Sequence, residues 1–345
     1  MFNRLYIVLM KFLRVILIPI VPIYYVITWF RNLMFDKGYK ASKSYDFPII
    51  CVGNLSTGGT GKTPMVEYLI RLLKDNTKLA TLSRGYGRSS KGFVLGNETS
   101  DALSLGDEPF QFYNKFNKDI LVAVDSNRQE GIAKLLEQKP MPDVVILDDA
   151  FQHRKVQAGF NVLLSTYDNL YTDDFVLPTG NLREPKSGAK RANIIVVTKC
   201  PSDLSDQIKQ NIISKIKPLK HQEVFFSVIR YSADVILGDK KPVSLKQLPA
   251  FKLVTGIANA TPLVDYLNTI GSEFEHIAFK DHHSFSRGEI DEMSKYACIV
   301  TTEKDYMRLK SEPSLQGKLY YLPIEVQIDR PEQFNKLIKD FAINN

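Results

Sequence analysis

Short apolar segments bounded by polar or turn residues recur along the first two thirds of the chain. They are rich in β-branched residues, and their apolar positions follow one another instead of alternating with polar ones. This pattern is typical of strands that are covered on both faces of a sheet. The segments are FPIICVGN, KLATLS, DILVAVD, DVVILDD, FNVLLST and NIIVVTK.

Helical patterns separate several of these strands, for example over residues 64–73 and 127–137. Strands that alternate with helices favour a mainly parallel, doubly wound α/β sheet. A weaker region lies at residues 201–245, where KPLKHQEVFFSVIRYSADV is typical of an extended connection, and a second αβ pattern begins at FKLVTGIANATPLVDYL. We therefore expect an N-terminal segment (1–45), an α/β core (46–225) and a smaller α/β domain (226–345).

The N-terminal segment contains an uncharged run, VILIPIVPIYYVITWF, at residues 15–30. As a helix these residues would span about 24 Å, less than the roughly 30 Å hydrocarbon core of a bilayer. Pro19 and Pro22 are expected to bend or break such a helix. Upstream, Lys11 and Arg14 stand among apolar residues, as in a helix that lies on a membrane surface. We expect a surface-lying membrane anchor; a short spanning helix, a cleaved signal peptide and a buried hydrophobic hairpin are the alternatives.

The charge of the chain is concentrated in the same segment. Residues 1–45 hold seven basic side chains and one acidic side chain, whereas the whole chain has a net charge of +7. The other residues are therefore nearly neutral, and a nucleic-acid partner is not predicted. The three cysteines are far apart and lack CxxC spacing, which argues against a zinc site or disulfide framework and favours reduced thiols.

The segment PIICVGNLSTGGTGKTP reads as a strand, a glycine-rich turn and a helix. Backbone N–H groups of such a turn form an anion cradle, in which Lys62 would reach the β- and γ-phosphates and Thr63 would bind Mg²⁺. Ser56 stands where the strict phosphate-loop pattern has glycine. The alternative is a glycine-rich turn that binds no nucleotide. The predicted nucleotide-binding residues are Ser56, Thr57, Gly58, Gly59, Thr60, Gly61, Lys62 and Thr63.

Two adjacent carboxylates, Asp148 and Asp149, end the apolar strand of DVVILDDAFQHRK. An acid at this position is the usual second contact of Mg²⁺ in phosphate-loop proteins. Two neighbouring carboxylates would also be costly without a cation. The alternative is a solvated turn, and His153 four residues later is either a polar helix residue or a participant.

Other candidate groups lie on loops. LGDEPF carries Asp107 and Glu108, and KDHHSFS carries His282 and His283. A histidine could orient an aspartate that takes a proton from a hydroxyl, although nothing local shows that the two meet. Metal binding by the adjacent histidines is not favoured, because their spacing is unlike that of zinc ligands. The loops SRGYGR and PTGNLREP present arginines that suit phosphate, although each alone is more often a surface charge.

Taken together and in this order, the motifs resemble one family, the tetraacyldisaccharide 4'-kinases of lipid A biosynthesis in Gram-negative bacteria. The matching segments span residues 52–305. They are VGNLSTGGTGKTP, LSRGYGR, GDEP, LDDAFQHR, LREP, DHHSFS and TTEKD.

The resemblance implies transfer of the ATP γ-phosphate to the 4'-hydroxyl of a membrane-bound tetraacylated glucosamine disaccharide 1-phosphate. It implies Asp107 as the general base oriented by His282, and a metal site formed by Thr63, Asp148 and Asp149. It implies a P-loop NTPase-type kinase domain joined to a smaller α/β domain, with an N-terminal membrane-associated helix. It implies substrate or phosphate contacts by Arg128, Arg183 and Glu184, and we also expect Arg84 and Glu108 to contact the substrate.

From the same resemblance we expect ATP and Mg²⁺ as cofactors and a peripheral or monotopic location on the cytosolic face of the bacterial inner membrane. The expected partners are the acylated disaccharide and the anionic membrane surface, with no nucleic acid and no obligate protein partner. The main alternative is a membrane-associated GTPase or ATPase switch. VVTKCPSD distantly resembles a guanine-reading motif, but Thr198 replaces its asparagine. A membrane scaffold with a degenerate loop is a third possibility.

Overall fold

The computed structural model describes residues 17–238, 241–281 and 283–343, with the side chain of Lys241 left out. The chain forms two compact units. The first contains the chain through Arg84, residues Asp119–Val228 and the chain from Gln327 onward. The second contains Gly85–Lys118 and Ile229–Val326, so it includes a segment from within the expected core.

The strands are numbered along the chain. They are β1 Ile49–Asn54, β2 Leu79–Ser83, β3 Val94–Leu95, β4 Ile120–Val124, β5 Val144–Asp148, β6 Phe160–Thr166, β7 Ile194–Thr198, β8 Glu223–Tyr231, β9 Asp234–Leu237, β10 Lys241–Ser244, β11 Phe251–Thr255, β12 Phe274–Ala278, β13 Ile299–Thr302, β14 Leu319–Leu322 and β15 Ile324–Ile328. The six predicted strands are confirmed as β1, β2, β4, β5, β6 and β7.

The α-helices are numbered in the same way. They are α1 Val21–Asp36, α2 Lys62–Leu73, α3 Ala102–Leu105, α4 Asp107–Phe116, α5 Arg128–Leu136, α6 Asp206–Ile216, α7 Thr261–Thr269, α8 Arg287–Met293, α9 Glu303–Leu309 and α10 Pro331–Ile343. Short 3₁₀ turns occur at Ile18–Ile20, Asn117–Asp119, Lys186–Arg191, Leu245–Gln247 and Pro313–Leu315.

The sheet of the first unit is parallel through its centre, in the order β8-β7-β6-β1-β5-β2-β4. Strands β1, β5 and β7 are buried along their whole length, as their uninterrupted apolar sequences predict. The strand order reverses at β1, because β2 lies on one side of it and β6 on the other. In open α/β sheets the carboxyl ends of strands at such a switch point form the ligand crevice.

The second unit has its own sheet, in the order β10-β9-β14-β13-β11-β12. Its strands β12, β11, β13 and β14 are parallel, and β9 pairs with β14 in the antiparallel sense. Side chains of these strands and of α7 form a separate apolar core, which includes Leu253, Leu263, Leu267 and Val300. The predicted mainly parallel α/β architecture is therefore confirmed, and the structure divides it between two sheets.

The extended connection predicted at residues 201–245 is only partly correct. Strands β8 and β9 are extended, but α6 lies before them. Ser205 begins α6, since its side chain accepts a hydrogen bond from the amide of Ile208. A serine cap of this kind stabilises a helix end whose first N–H groups have no partner within the helix.

The N-terminal helix α1 presents apolar side chains to the outside. Ile23, Ile27 and Phe30 are 54–61% exposed, whereas Thr28 and Asn32 are buried on the opposite side. Pro19 lies in the preceding 3₁₀ turn and Pro22 in the first turn of α1, so the prolines open the helix instead of breaking it. The exposed residues argue against a buried hydrophobic hairpin.

Residues Ile18–Asp36 are long and apolar enough to cross a membrane by length and composition alone. Their 19 residues correspond to about 28 Å of helix. The expected basic helix at Lys11 and Arg14 lies outside the described residues. A large exposed apolar face marks a membrane or protein contact, and this face weakly suggests membrane association.

Candidate active site

The glycine-rich turn connects β1 with α2 at the switch point of the first sheet. Gly58 and Gly61 have φ angles of +102° and +84°, in the left-handed region that glycine adopts most easily. Asn54 stabilises the start of the turn, because its Nδ2 donates to the Ser56 carbonyl at 2.6 Å. Helix α2 begins directly after Gly61, at Lys62. The geometry is that of an anion cradle at a helix N-terminus.

Neighbouring segments hold this turn from outside. The Thr57 amide donates to the Asn181 carbonyl at 2.7 Å, the Thr198 hydroxyl donates to the Thr60 carbonyl at 2.8 Å, and the Lys199 ammonium donates to the Gly59 carbonyl at 2.6 Å. The sequence prediction did not assign these contacts, although VVTKCPSD marks the strand end that supplies two of them. We call the turn braced, in the sense that these three hydrogen bonds from other segments hold its backbone.

Lys199 has an unusual setting for a lysine. It has a left-handed φ of +57° directly after β7. Burial lowers the pKa of its ammonium, an effect that Asp168 partly opposes. Lys199 as a whole is exposed, but its ammonium is held against the turn by the bond to Gly59. A strained backbone is retained here, which fits a side chain needed to hold the turn.

Lys62 lies within a group of charges at the carboxyl ends of β1 and β5. Its ammonium is 3.3 Å from Asn54 Oδ1 and 3.6 Å from the Asp149 carboxylate. Arg183 binds the same carboxylate through two donors, at 2.8 and 3.3 Å, and also bonds to Asn54. Thus the predicted residues Lys62, Asp149 and Arg183 are brought together.

The electrostatics of Asp149 follow from this group. Burial acts to raise the pKa of its carboxyl, but the charge of Lys62 and the bonds from Arg183 outweigh it, so the pKa is lowered. Asp149 also has a left-handed φ of +47°. A strained residue that carries a stabilised negative charge next to a phosphate loop is a typical functional arrangement.

Asp148 and Arg128 lie deeper, and each is only 2% exposed. Ser83 donates to the Asp148 carboxylate at 3.2 Å, and Arg128 donates to the carbonyls of Asp148 and Asp125 at 3.3 and 2.5 Å. Burial lowers the pKa of Arg128, while Asp148 and Asp149 act to raise it. Arg128 therefore links the ends of β4 and β5, and its expected contact with a substrate stays a prediction.

The donor set near the turn suits Mg²⁺. Thr63 follows Lys62 in the first turn of α2, and Asp148 and Asp149 end β5, so every candidate ligand is an oxygen. Mg²⁺ prefers such ligands and commonly takes the rest of its shell from water and phosphates. In the part of the chain that the structure describes, no group of three His, Cys, Asp or Glu residues could hold a metal by itself.

Glu184, predicted to contact substrate, lies in the protein interior. It is 1% exposed, and its carboxylate accepts hydrogen bonds from Asn32 at 2.6 Å, Gln152 at 3.0 Å and Arg191 at 2.7 Å. Gln152 also donates to the Asn54 carbonyl at 2.8 Å. Glu184 thus joins α1 to the segment that supports the phosphate turn, and its contact with a substrate stays a prediction.

Other polar groups of α1 bind the same region. The Tyr24 hydroxyl donates to the Arg183 carbonyl at 2.9 Å, and Arg31 donates to the Gln152 carbonyl at 2.8 Å. Arg154 forms an ion pair with Asp36 at 2.7 Å. The helix is therefore attached to the first unit along its polar side.

Positive charge surrounds His153, the residue with two possible roles. Burial lowers the pKa of its imidazole to about 4, and Arg128 is the strongest of several cationic contributors, which also include Lys155, Arg31 and Arg84. His153 is therefore neutral at pH 7. Arg84 is exposed and directly follows β2. This cationic field favours an anionic ligand at the carboxyl edge of the sheet.

In the second unit, Asp107 begins α4 directly after Gly106, whose φ is +91°. Its carboxylate accepts hydrogen bonds from Nε of Arg308 at 3.0 Å and from Nη2 of the same side chain. Glu108 is half-buried in the same helical turn. The sequence prediction did not identify Arg308, because only the fold brings residues 201 positions apart into contact.

His282, the expected partner of Asp107, lies outside the described residues, and the pairing stays a prediction. Its neighbour His283 is described. The His283 ring stacks on Phe279 at 4.6 Å, and Nε2 lies 3.0 Å from the Glu289 carboxylate. These contacts connect His283 to Phe279 before it and to the first turn of α8 after it.

Comparison with known proteins agrees with this arrangement. The sequence pattern of the tetraacyldisaccharide-1-P 4'-kinases matches residues 13–342. The chain belongs to this family. The Flavobacterium johnsoniae tetraacyldisaccharide 4'-kinase is 50% identical over 97% of this chain and 99% of the relative. The Bacteroides thetaiotaomicron protein of that name is 42% identical over 95% and 93%.

A solved structure is similar throughout. The crystal structure of LpxK from Aquifex aeolicus in complex with ATP has a TM-score of 0.76 and 30% sequence identity, and the alignment covers 96% of this chain and 99% of that one. The expected kinase fold is therefore confirmed. Nucleotide binding by the glycine-rich turn of this chain stays a prediction.

Proposed function

We propose that this protein transfers the γ-phosphate of ATP to the 4'-hydroxyl of a tetraacylated glucosamine disaccharide 1-phosphate, in the biosynthesis of lipid A. The family and the names of its relatives support an ATP-dependent kinase of this kind. The product would be the 1,4'-bisphosphate.

The observation that carries the proposal is the cluster of Lys62, Asp149 and Arg183 beside the glycine turn. Two cations fixed by one carboxylate at a helix N-terminus can stabilise the charge on phosphate oxygens without moving. Phosphoryl transfer depends mainly on such positioning and charge neutralisation. The similar LpxK structure, which is a complex with ATP, supports ATP as the donor.

In the proposed step, a bond forms between the 4'-oxygen and the γ-phosphorus, and the bond from that phosphorus to the β,γ-bridging oxygen breaks. ADP leaves with the electron pair of the broken bond. Asp107 takes the proton of the 4'-hydroxyl, with His282 orienting its carboxylate, as the family resemblance implies. Mg²⁺ bound by Thr63, Asp148 and Asp149 would neutralise phosphate charge.

The same proposal accounts for the N-terminal helix. An acylated acceptor lies in a membrane, and the apolar side chains of α1 include Trp29 and Tyr25, each 44% exposed, of types that favour the membrane interface. Lys37, Lys40 and Lys43 follow the end of α1 and would face anionic headgroups. We propose that the protein lies on the cytosolic face of the inner membrane.

Phosphate transfer from γ-labelled ATP to a purified tetraacylated disaccharide 1-phosphate in detergent micelles tests the proposal. Wild type and Lys62→Ala are compared with and without Mg²⁺, and GTP replaces ATP in a parallel series. Label in the lipid that depends on ATP, Mg²⁺ and Lys62 is the expected result. Free phosphate that is unaffected by added lipid, or a preference for GTP, would favour the switch protein instead.

A further inference from the structure

The strongest unassigned cluster lies in the second unit, on the first turns of α9. Asp305 is fully buried, and its carboxylate accepts hydrogen bonds from the Gly256 amide at 2.8 Å, the Thr302 hydroxyl at 2.7 Å and Nη1 of Arg308 at 3.0 Å. A buried carboxylate with three such donors is a fixed group. Arg308 is therefore held at one end by a rigid acceptor.

The other end of the Arg308 guanidinium binds Asp107. Nε and Nη2 both donate to Oδ2 of the Asp107 carboxylate. The side chain of Arg308 is 11% exposed and that of Asp107 is 23% exposed, so water screens this pair less than a surface ion pair. Both donors converge on one oxygen, so they fix the position of Oδ2 and, through it, the rotation of the carboxylate about its bond to Cβ.

We propose that Arg308 is a positioning residue for the catalytic Asp107 carboxylate, and that Asp305 anchors Arg308 for that purpose. The inference rests on the proposed function, because it takes Asp107 to be the base. A base must lie within hydrogen-bond reach of the proton that it takes. Arg308 fixes Oδ2, so the carboxylate meets the acceptor hydroxyl in one orientation. Arg308 itself exchanges no proton and touches no reacting atom.

Arg308 is one of several residues that join α4 to α9 and the residue that follows it. Lys115 binds Glu303 at 2.8 Å, and Lys310 bonds to Asn114 and lies 4.4 Å from the centre of the Phe110 ring. These contacts hold the helices together without touching Asp107. Lys310 is therefore a matched control, because it is also a cation that contacts α4 but it does not bind Asp107 in these contacts.

The test compares Arg308→Met, Arg308→Lys, Lys310→Met and Asp107→Asn in the labelled-phosphate assay with saturating ATP and lipid acceptor. We expect Arg308→Met to lower kcat about 10- to 100-fold, since a misplacement of about 1 Å costs that much, and to change KM for ATP less than about 3-fold. Arg308→Lys should recover part of kcat, because the charge stays but the two-donor geometry is lost. Lys310→Met should keep wild-type kcat.

Two further readouts separate positioning from folding. Thermal unfolding of Arg308→Met and Lys310→Met gives the Tm of each variant, and kcat is then compared at a temperature at which both are fully folded, so that the difference in kcat cannot come from unfolded protein. Arg308→Met should have the lower Tm, because it leaves the buried Asp305 carboxylate without this partner. The double variant Asp107→Asn/Arg308→Met should be no slower than Asp107→Asn, because Arg308 acts only through that carboxylate. If the loss of kcat in the double variant equals the product of the losses in the two single variants, the proposal is wrong.

The possible failures are distinguishable. If wild type does not phosphorylate the lipid, the proposed function fails and Arg308 has no base to position. If Asp107→Asn phosphorylates the lipid at the wild-type rate, Asp107 is not the base. The inference about Arg308 is then wrong, while the kinase proposal stands. If Asp107→Asn is inactive but Arg308→Met has wild-type kcat, the positioning role alone is wrong.

Discussion

Two connections in this protein share a strand, a turn with glycine and a helix, yet their backbone amides face different groups. One follows β1 and leads to α2, and the other follows β11 and leads to α7. Each strand has parallel neighbours on both sides. After β1, cations surround the turn. After β11, the Gly256 amide donates to the Asp305 carboxylate at 2.8 Å.

If the first turn binds phosphate as proposed, the comparison indicates that a glycine turn between a strand and a helix is not sufficient for such a site. In the second unit the protein supplies its own anion, because Asp305 occupies the amide that a phosphate oxygen would use. A Cβ on Gly256 would lie 2.9 Å from Oδ1 of that carboxylate, so the approach also requires glycine. The amide of the second turn is bound to an internal anion, whereas the first turn is the one that we propose for the phosphates of ATP.

The largest expected effect concerns the charge that distinguishes the first turn. We expect Lys62→Met to lower the rate of lipid phosphorylation about 10²- to 10³-fold, as removal of a fixed group that stabilises developing charge typically does. The measurement is labelled transfer at saturating substrates, with Lys215→Met as a surface control, since Lys215 is exposed on α6 and pairs with the exposed Asp173. Equal rates for both variants would contradict the comparison.

The second prediction removes the internal anion. Asp305→Ala leaves the Gly256 amide and the Arg308 guanidinium without this acceptor, and we expect the free energy of unfolding to fall by about 3 kcal/mol. Denaturant unfolding measures the change. The matched control is Asp291→Ala, whose carboxylate pairs with Arg287 at the surface and should cost less than about 1 kcal/mol. A similar small loss for both would mean that Asp305 does not close the second turn.

The third prediction tests one of the contacts that hold the first turn from outside. Lys199→Met removes the bond to the Gly59 carbonyl, and we expect KM for ATP to rise about 5-fold, equivalent to about 1 kcal/mol. The value of kcat should change less, because Lys62 and Arg183 stay in place. Steady-state kinetics against ATP concentration separates the two constants. An unchanged KM would show that the turn is rigid without Lys199.

The smallest effect concerns the cationic field around the first turn. The pKa of His153 is about 4 in the folded protein and about 6.5 when exposed. The unfolded chain therefore binds the extra proton, so the stability contributed by neutral His153 is complete above pH 6.5 and is lost as the pH falls toward 4.

Between pH 7 and pH 5, wild type should lose about 1 kcal/mol of stability more than His153→Gln, a value reduced for the partial exposure of the ring. Unfolding curves at the two pH values measure this difference. His221→Gln, at an exposed position, is the control and should behave as wild type. A wild-type pH dependence in His153→Gln would place the titrating group elsewhere.

The sequence predicted the strands well because their apolar runs are uninterrupted, and it predicted the turn because Gly58, Gly61 and Lys62 are adjacent. It could not show that residues 85–118 join the second unit, since that depends on contacts of α4 with α9. Helix α6 was not predicted, although Ile208, Ile212 and Ile216 recur every four residues, because the segment around them is otherwise mostly polar.

Among site residues, sequence distance and burial limited the prediction. Glu184 and Arg128 have the charge of phosphate-site residues, but only the fold shows that both are at most 2% exposed. The contacts of Thr198 and Lys199 with the turn follow from the adjacency of β7 to β6 and of β6 to β1. The sequence alone contains no sign of this adjacency.

The attachment of α1 along its polar side affects how the enzyme would meet its acceptor. Tyr24, Arg31 and Asn32 bond to segments that also support the phosphate turn, so the helix is not a loose tether. If α1 lies in the membrane, the first unit would sit at a fixed height and tilt above the headgroups. The protein and its lipid acceptor would then meet by diffusion in two dimensions, with the protein at a constant depth. The encounter rate would depend on the surface density of the acceptor in that leaflet.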